Sequence, residues 1–491
     1  MNESHFPILS LLIFLPLLGA LMTGLCGNIG LAKKVALAFA SLELIASLWA
    51  LQRFQSSNGD FQLLERTEWI PSLHIEFLLG IDGISVLFLP LSALLTLMAM
   101  IASWNSIQCA LDMVLFFLFW ELTLPPLFFL IGLWGIGPAR RSAAMKYTLF
   151  MLFGGVPLLF AILILAMNHA TAVSGSIPQD LSFSLPTLLA TPLPDSLQSV
   201  VFFLLLLGFA VKAPLVPFHT WLPTVAMEGS THTIALLVGL KLGVYGLLRF
   251  AMPLAPSAAV QYSWAFGILG AITLIYGAMC ALQQTNLRRL LAYASISHVG
   301  LVIIGLSSLN MQGLQGAIFQ LLNFTLIASS LMLIAGFIQH RLGSTEALHT
   351  AGLAKVMPRL TAFYFLFMLA SMGVPLTSGF PAELLIIIGA LTAHPTLGIT
   401  ALAGAVLCAA YMLSFTRRAF FGAITQASVE QVQDLRPREL ALLCVPALLV
   451  LLLGFMPNKV LKINQKTAEV WLNRLMVDQT ALETGEEIPV P

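Results

Sequence analysis

Charged residues are scarce in this chain of 491 residues, because 23 Lys and Arg and 22 Asp and Glu make up only 9% of it. An average soluble protein carries about 25% charged residues. Apolar residues reach 58%, so the chain lacks the polar groups needed to cover a water-facing surface. The lipid bilayer must therefore surround most of the molecule, and a net charge of +1 gives no reason to expect a nucleic-acid partner.

Cysteine is also infrequent, and the sequence contains no Cys-x-x-Cys pair. The five cysteines lie in or beside apolar runs and are interpreted as small apolar packing residues: Cys26, Cys109, Cys280, Cys408 and Cys444. A structural zinc or an iron–sulfur cluster in this chain is not expected. The sequence also lacks a nucleotide-binding loop, a redox-cofactor fingerprint and a nucleophile elbow. We therefore expect no metal, cofactor or covalent chemistry here.

Long apolar segments are what the sequence has in abundance. A membrane helix takes about 20 apolar residues, and thirteen segments meet this requirement: 6–27, 35–53, 77–102, 111–134, 143–167, 198–222, 231–252, 260–282, 290–308, 313–339, 359–391 with a break, 396–415 and 439–456. No basic stretch precedes the first segment, so it is interpreted as a retained membrane helix. The pattern predicts an all-α polytopic membrane protein with a C-terminal tail.

Basic residues in the loops predict the orientation, because Lys and Arg favour the cytoplasmic side. Four loop groups are expected on that side: Arg140 and Arg141; Arg288 and Arg289; Arg341, Lys355 and Arg359; Arg417, Arg418, Arg436 and Arg438. The alternation fails upstream, because three segments separate Lys33 and Lys34 from Arg140. Either Lys33 and Lys34 face outward, or one segment does not cross the membrane, or a helix is absent from this sequence.

Four charged residues lie in the middle of apolar segments: Glu121, Lys212, Lys241 and Glu383. A charge at that depth is costly and indicates function by default. One alternative is that two acids and two bases pair to hold helices together. The other is a hydrated proton relay, for which lysine is suited because burial and a movable carboxylate change its proton affinity strongly.

Proline and glycine interrupt two of these segments. Lys212 is followed by Pro214 and Pro217, and Glu383 follows Pro375 and Pro381. Interrupted helices at corresponding positions of two halves point to inverted repeats around an ion site at the middle of the bilayer. Simple proline kinks are the alternative interpretation.

Other ionisable side chains are weaker candidates for such a relay. His298 lies well inside its segment, His219 follows the first interruption, and His232 and Lys146 lie near helix starts. Each histidine could equally be a hydrogen-bonded packing residue. Two further charged residues, Asp82 and Arg249, lie near segment ends and are expected at the membrane interfaces.

Several long motifs resemble subunit M, or chain 4, of the proton-pumping NAD(P)H-quinone oxidoreductase family (respiratory complex I). They are LGIDGIS at 79–85, LFFLFWELTLPPLFFLIGLWG at 115–135, GFAVKAPLVPFHTWLP at 208–223, LKLGVYGLLRF at 240–250 and LRRLLAYASISHVG at 287–300. The resemblance covers about residues 1–456. It implies an antiporter-like fold with about 13–14 transmembrane helices, two inverted five-helix repeats and two broken helices.

The resemblance also assigns roles to residues. Matched to the family pattern, the proton relay consists of Glu121, Lys212, Lys241, His298 and Glu383, with Lys146, His219, His232 and Glu228 as possible further members. The implied organisation is N-terminal membrane helices at 1–110, a first repeat at 111–252, a second repeat at 260–415, and a last helix with a tail at 416–491.

The sequence departs from the family pattern in three places. After WLP the family usually has DAHVEAP, whereas this chain has TVAMEGS at 224–230 and keeps only Glu228. Phe324 stands where the family usually has a histidine. Between Trp104 and Asp112 the family carries about 20 further residues that form one helix, which would supply the missing crossing.

The family implies proton translocation driven by electron transfer in partner subunits. NAD(P)H or ferredoxin, quinone and iron–sulfur clusters are expected in those membrane and peripheral subunits, and none in this chain. The divergent WLPTVAMEG loop resembles cyanobacterial copies that serve CO2 uptake, so a thylakoid membrane and plastoquinone are expected, with a bacterial inner membrane as the alternative. Two other functions stay open: a subunit of a multisubunit sodium/proton antiporter, and a structural membrane module.

Overall fold

A computed structural model describes residues 7–25, 29–56, 60–70, 75–87, 89–90, 93, 110–173, 177, 179–239, 241–421, 423–424 and 426–484. Helices dominate this part of the chain, as predicted, and the one departure from an all-α fold is a β-hairpin near the N-terminus. The stretch between Trp104 and Asp112, where the sequence lacks one helix of the family pattern, lies almost wholly outside these ranges.

The N-terminal half contains helices α1 (Ile8–Leu25) and α2 (Ile29–Arg53) and strands β1 (Gln62–Ile70) and β2 (Ile75–Ile81). The helices that follow are α3 (Met113–Leu122), α4 (Leu124–Gly132), α5 (Arg140–Ala172), α6 (Leu185–Ala190), α7 (Asp195–Lys212), α8 (Trp221–Glu228), α9 (Thr231–Gly239) and α10 (Leu242–Gly246). A π-helix occupies Leu247–Ala251.

The C-terminal half continues with α11 (Met252–Leu254), α12 (Pro256–Gln261), α13 (Ser263–Leu282), α14 (Leu287–Ser307), α15 (Met311–Leu342), α16 (Leu353–Val356), α17 (Pro358–Ser371) and α18 (Gly379–Ala393). The last helices are α19 (Pro395–Ala419), α20 (Ala427–Glu430), α21 (Pro437–Phe455) and α22 (Pro457–Thr484).

Nine spans among the described residues are long and apolar enough to cross a membrane. They are Met113–Gly132, Arg140–Ala172, Asp195–Lys212, Thr233–Leu254, Ser263–Leu282, Leu287–Ser307, Met311–Leu342, Pro395–Ala419 and Pro437–Phe455. The predicted segment 359–391 consists of two shorter helices, α17 and α18, as its proline and glycine content indicated. The multi-pass membrane fold is therefore confirmed, while the total of 13–14 helices also involves residues outside those described.

The β-hairpin corrects the prediction that residues 77–102 form one membrane helix. Strands β1 and β2 pair antiparallel, with Arg66 opposite Leu78 and Ile70 opposite Ile75. The seven residues of β2, taken alone, are ambiguous between helix and strand, and here the charged, half-exposed β1 supplies a partner. Glu65 of β1 also accepts hydrogen bonds from the backbone N–H groups of Leu9 (2.6 Å) and Ser10 (2.8 Å), so it caps the start of α1.

The basic loops lie together at one end of the helices, as the charge pattern predicted. Hydrogen bonds join them in series: Ala139 to Glu228, Arg288 to Gly229, Asn286 to Glu346, Arg418 to Gln284, and Arg341 to Glu439. The side chains of Lys33 and Lys34 are not among those described. The basic loops downstream of residue 139 therefore lie at the same end of the helices.

The predicted C-terminal tail is instead the long helix α22. Its Trp471 donates an indole N–H hydrogen bond to the carbonyl of Leu248 (2.9 Å), and its Thr467 hydroxyl accepts from the N–H of Gly83 (3.0 Å). This helix therefore covers the turn after β2 and the π-helix.

A buried ion pair lies beneath this helix and joins Asp82 to Arg249, the two residues expected at the membrane interfaces. The two side chains form a salt bridge and are only 3% and 6% exposed. Asp82 also accepts hydrogen bonds from the N–H groups of Ile84 and Ser85. The pair thus joins the turn after β2 to the π-helix, 167 residues later in the chain.

Removal of one partner from this buried pair should destabilise the protein strongly. We expect Arg249→Met to cost about 3–5 kcal/mol, because a buried Asp82 carboxylate would lose its counter-charge. Arg66→Met is the matched control, since the Arg66–Glu76 bridge is at the surface and such pairs contribute about 0–1 kcal/mol. Thermal unfolding of the full-length chain in detergent measures both, and equal shifts for the two variants would contradict the assignment.

Candidate functional site

The first group of predicted relay residues lies where α3 gives way to α4. The two helices are separated by Thr123, and Pro125 and Pro126 follow it without N–H groups to continue the hydrogen-bond ladder. The ammonium of Lys212, the last residue of α7, reaches this junction. It donates to the Trp120 carbonyl and the Thr123 hydroxyl, each at 3.4 Å.

Lys212 is thus held by Trp120 and Thr123, which precede and follow Glu121 in the sequence. Its Nζ also lies 3.8 Å from the centroid of the Trp120 ring, which stabilises a cation. Glu121 directs its carboxylate at Gly155 of α5, where a larger residue would collide with it. Its Oε1 is buried and accepts no hydrogen bond from the described residues. The Glu121 carboxylate is therefore free to change partners without breaking an existing bond at that atom.

The first proline interruption separates α7 from α8, as predicted. α7 ends at Lys212, and the next helix begins at Trp221. The indole N–H of Trp221 donates to the Val211 carbonyl (2.9 Å), one of the carbonyls left without a helical partner at the end of α7. The break therefore leaves Lys212 at a helix end, with its backbone satisfied by a buried tryptophan.

Lys241 lies at a third interruption, which the proline-based argument did not predict. α9 ends at Gly239 and α10 begins at Leu242. Hydroxyls from α15 satisfy the carbonyls nearby: Thr325 donates to Gly239 (3.0 Å) and Ser329 to Ala235 (2.9 Å). A sequence signal was present in these hydroxyls, spaced four residues apart on a buried helix. Lys241 itself donates to the hydroxyl of Ser295 on α14.

His298 and Glu383 meet at the far end of this arrangement. His298 Nδ1 lies 3.8 Å from Glu383 Oε1. Gln320 of α15 contacts both, because its Nε2 donates to Glu383 Oε1 (3.3 Å) and to His298 Nδ1 (3.3 Å). Cys408, interpreted from sequence as apolar packing, places its sulfur 3.6 Å from His298 Nε2. Sequence reasoning missed Gln320 and Cys408 because both are uncharged residue types.

The second proline interruption gives Glu383 its place. The chain between α17 and α18 turns at Gly373, which has φ of +64°, a value favourable for glycine. The Glu383 carboxylate occupies the space where a side chain at this position would lie. Gly373 therefore serves both the turn and the pocket for the carboxylate.

Phe324 lies beside both halves of the predicted relay. The Lys241 ammonium is 5.3 Å from the centroid of its ring, and the ring centroid of His298 is 4.3 Å from the same centroid. The residue that departs from the family pattern thus contacts both Lys241 and His298. The hydrogen bonds described above form three clusters: Lys212 at the α3–α4 junction, Lys241 with Ser295, and His298 with Glu383 and Gln320.

The weaker candidates are distributed outside these clusters. Lys146 donates to the Thr224 hydroxyl (3.2 Å), and His219 is buried against the Tyr276 ring with a centroid distance of 4.9 Å. Glu228 accepts a hydrogen bond from the N–H of Ala139 (2.7 Å) and so caps the start of α5. The side chain of His232 lies outside the described residues. The geometry thus gives Glu228 a structural contact and joins none of these residues to His298.

Comparison with known proteins shows which family this chain is similar to. The family described as NADH:quinone oxidoreductase/Mrp antiporter, transmembrane, matches residues 110–408. NADH-quinone oxidoreductase subunit M of Rickettsia prowazekii (strain Madrid E) is 34% identical over 496 residues, covering 95% of this chain and 98% of the relative. NAD(P)H-quinone oxidoreductase chain 4 1 of Synechococcus sp. (strain JA-3-3Ab) is 35% identical over 489 residues, covering 93% and 91%.

Two solved structures share the fold. A chain of respiratory complex I from Thermus thermophilus with bound NADH superposes with a TM-score of 0.86 at 30% identity, covering 95% of this chain and 99% of that chain. A chain of the Mrp complex from Dietzia sp. DQ12-45-1b superposes with a TM-score of 0.80 at 21% identity, covering 96% and 99%. The second likeness concerns the fold alone.

The close approach of the interrupted helices depends on Gly243. A Cβ at this position would collide with the backbone of Ala213 and Phe209 in the segment that carries Lys212. We expect Gly243→Ala to destabilise the protein by about 1–3 kcal/mol through overpacking. Gly132→Ala is the matched control, because its Cβ would lie 3.4 Å from the nearest described atom. Thermal unfolding compares the two, and a control that unfolds as early as Gly243→Ala would refute this role.

Proposed function

Because the chain belongs to the NADH:quinone oxidoreductase/Mrp antiporter transmembrane family, we propose that it is the proton-translocating subunit M, or chain 4, of an NAD(P)H-quinone oxidoreductase complex. The observation that carries this proposal is the placement of three ionisable side chains at helix interruptions, with a buried histidine beside one of them. Lys212 is the last residue of α7, Lys241 directly precedes α10, and the Glu383 carboxylate lies at the turn between α17 and α18, in contact with His298. Irregular backbone at this depth is tolerated where it lines a hydrated or protein-filled interior.

The proposed path runs from the side of the basic loops to Lys241 and onward through His298 to Glu383. Lys241 takes up a proton and passes it across the Phe324 ring when that ring moves aside. His298 then delivers the proton to Glu383, whose Oε1 lies 3.8 Å from its Nδ1. Each residue in this path is buried, so the protons it holds are kept apart from bulk water.

The Glu121–Lys212 pair is proposed to control the proton affinity of Lys241. Lys212 is held at the α3–α4 junction by the Trp120 carbonyl and the Thr123 hydroxyl. A swing of its ammonium toward the Glu121 carboxylate would change the positive charge felt by Lys241. The contact between Gly243 and the backbone of Ala213, the residue after Lys212, ties the two lysine-bearing segments together.

Energy for this transport has to come from outside the chain. Moving one charge across the membrane takes about 2.3 kcal/mol per 100 mV. We propose that electron transfer from NAD(P)H or ferredoxin to quinone, through iron–sulfur clusters in partner subunits, supplies it. The proposal includes two inverted repeats, at 111–252 and 260–415, because the interrupted pair α7–α8 that carries Lys212 lies in the first and the interrupted pair α17–α18 that carries Glu383 lies in the second.

A sodium/proton antiporter subunit is not favoured as an alternative. The relatives at 34–35% identity are oxidoreductase subunits, and the likeness to the Mrp complex at 21% identity concerns the fold. The rickettsial and cyanobacterial relatives match this chain about equally well. The expected specialisation for CO2 uptake in a thylakoid membrane therefore stays a prediction alongside a bacterial inner membrane.

Substitution of Lys241 tests the relay. We expect Lys241→Met in the assembled complex to lower electron-driven proton pumping at least about 100-fold, the lower end of the effect of removing a proton-transfer group, while the complex still assembles. Lys355→Met is the matched control, because Lys355 lies on the exposed face of a short surface helix. Pumping is measured in proteoliposomes with a pH-sensitive dye, and assembly by native gel.

Two results would count against the proposal. Normal pumping by an assembled Lys241→Met complex would remove the central lysine from the relay. Loss of assembly by Lys241→Met, Lys212→Ala and Glu383→Gln alike would instead assign these charges to the structural membrane module considered at first.

A further inference from the structure

Three uncharged side chains form a hydrogen-bonded chain from the second helix break to the His298–Glu383 pair. The hydroxyl of Ser378, at the start of α18, donates to Asn323 Oδ1. Asn323 Nδ2 donates to Gln320 Oε1 (3.0 Å). Gln320 Nε2 donates to both Glu383 Oε1 and His298 Nδ1, each at 3.3 Å.

The donor and acceptor groups of the three side chains follow one direction, from Ser378 to the His298–Glu383 pair. A serine hydroxyl has one proton, and an amide has a donor end and an acceptor end. Because Ser378 donates to the oxygen of Asn323, the nitrogen of Asn323 faces Gln320, and the nitrogen of Gln320 then faces the pair. His298 Nδ1 must accept from this nitrogen and therefore carries no proton, which leaves the proton on Nε2, directed at the Cys408 sulfur.

Burial prevents water from replacing any of these bonds. Gln320 and Ser378 are 0% exposed, and Asn323 is 1% exposed. A buried donor or acceptor without a partner is costly, so the amides cannot turn one at a time. The chain has two complete arrangements: the one observed, and its reverse.

A proton on the His298–Glu383 pair conflicts with the observed arrangement. If His298 Nδ1 carries a proton, it faces the Gln320 N–H group as a second donor. If Glu383 Oε1 carries the proton, its O–H group likewise faces a Gln320 N–H group as a second donor. When both groups carry a proton, the reversed arrangement satisfies them, because Gln320 then presents its oxygen to the N–H group of His298 and the O–H group of Glu383. Asn323 then donates to Ser378, whose hydroxyl must turn away.

We propose that Gln320, Asn323 and Ser378 are positioning residues that couple the presence of a proton on the His298–Glu383 pair to the broken helix α17–α18. This inference rests on the proposed function. The amides carry no proton across the membrane themselves. They hold the empty pair in one arrangement, and when the pair is occupied they release the Ser378 hydroxyl at the break. The backbone N–H of Ser378 also donates to the Val450 carbonyl (3.0 Å), so the break at which this hydroxyl lies is joined to α21.

Other titratable groups face the pair and must be kept constant in a test. They are Cys408 and Tyr411 of α19 and, beyond the Phe324 ring, Lys241. None of them contacts Ser378 in the hydrogen bonds that the structure shows. Ser378 is therefore the position where the polarity of the chain is altered with the least disturbance to the pair.

Ser378→Ala in the assembled complex is the decisive variant. Without the hydroxyl, both arrangements become accessible, so the pair should bind a proton more readily. We expect the pH of half-maximal pumping to move upward, and the pumping rate at neutral pH to fall roughly three- to tenfold, the effect of one buried hydrogen bond. Gln320→Met should move the pH profile in the same direction, because it removes the donor that favours the empty pair.

Ser330→Ala is the matched control, because Ser330 is equally buried on α15 but bonds only to the Leu326 carbonyl of its own helix. Its pH profile should equal that of the parent. Unshifted profiles for Ser378→Ala and Gln320→Met, together with loss of pumping by Glu383→Gln, would overturn the coupling and leave the relay intact. Normal pumping by Glu383→Gln would overturn the proposed function itself. If Gln320→Met fails to assemble, the profile of Ser378→Ala decides alone.

Discussion

The lack of water inside the bilayer is the constraint on which this structure depends. Backbone groups freed at a helix interruption must find protein partners there. The Trp221 indole, the Thr325 hydroxyl and the Ser378 N–H all take part in such bonds. An interruption therefore requires polar side chains around it, and a buried ionisable residue requires polar neighbours for the same reason. Both needs are met at the same places, which explains why Lys212, Lys241 and Glu383 lie beside the breaks.

Sequence reasoning found the features that carry a strong local signal. Proline predicted the interruptions beside Lys212 and before Glu383, because its missing N–H acts in any context. The interruption at Lys241 was missed, since glycine weakens a helix without ending it. The β-hairpin was missed because the apolar residues of β2 continue into the long apolar segment 77–102, whose length favours a helix over a strand. Gln320, Asn323 and Ser378 were missed because the cost of burial marks charges first, and only tertiary contacts show that these three neutral residues are linked.

The departures from the family pattern turn out to be accommodated locally. Thr224 stands where the family usually has an aspartate, and its hydroxyl accepts from Lys146. Glu228 caps α5, which joins the divergent loop to the arginine-rich end of the molecule. Thr224 keeps a polar contact to a lysine without placing a second negative charge in this region. The loop thus keeps its structural contacts while it loses ionisable groups.

Phe324 bears on the leakage of protons through the protein. A membrane protein that keeps titratable groups in a row from one side of the bilayer to the other risks discharging the gradient it serves. The Phe324 ring lies beside both Lys241 and His298, and an aromatic ring neither accepts nor conducts a proton. A phenylalanine where the family usually has a histidine therefore removes one titratable group from such a row.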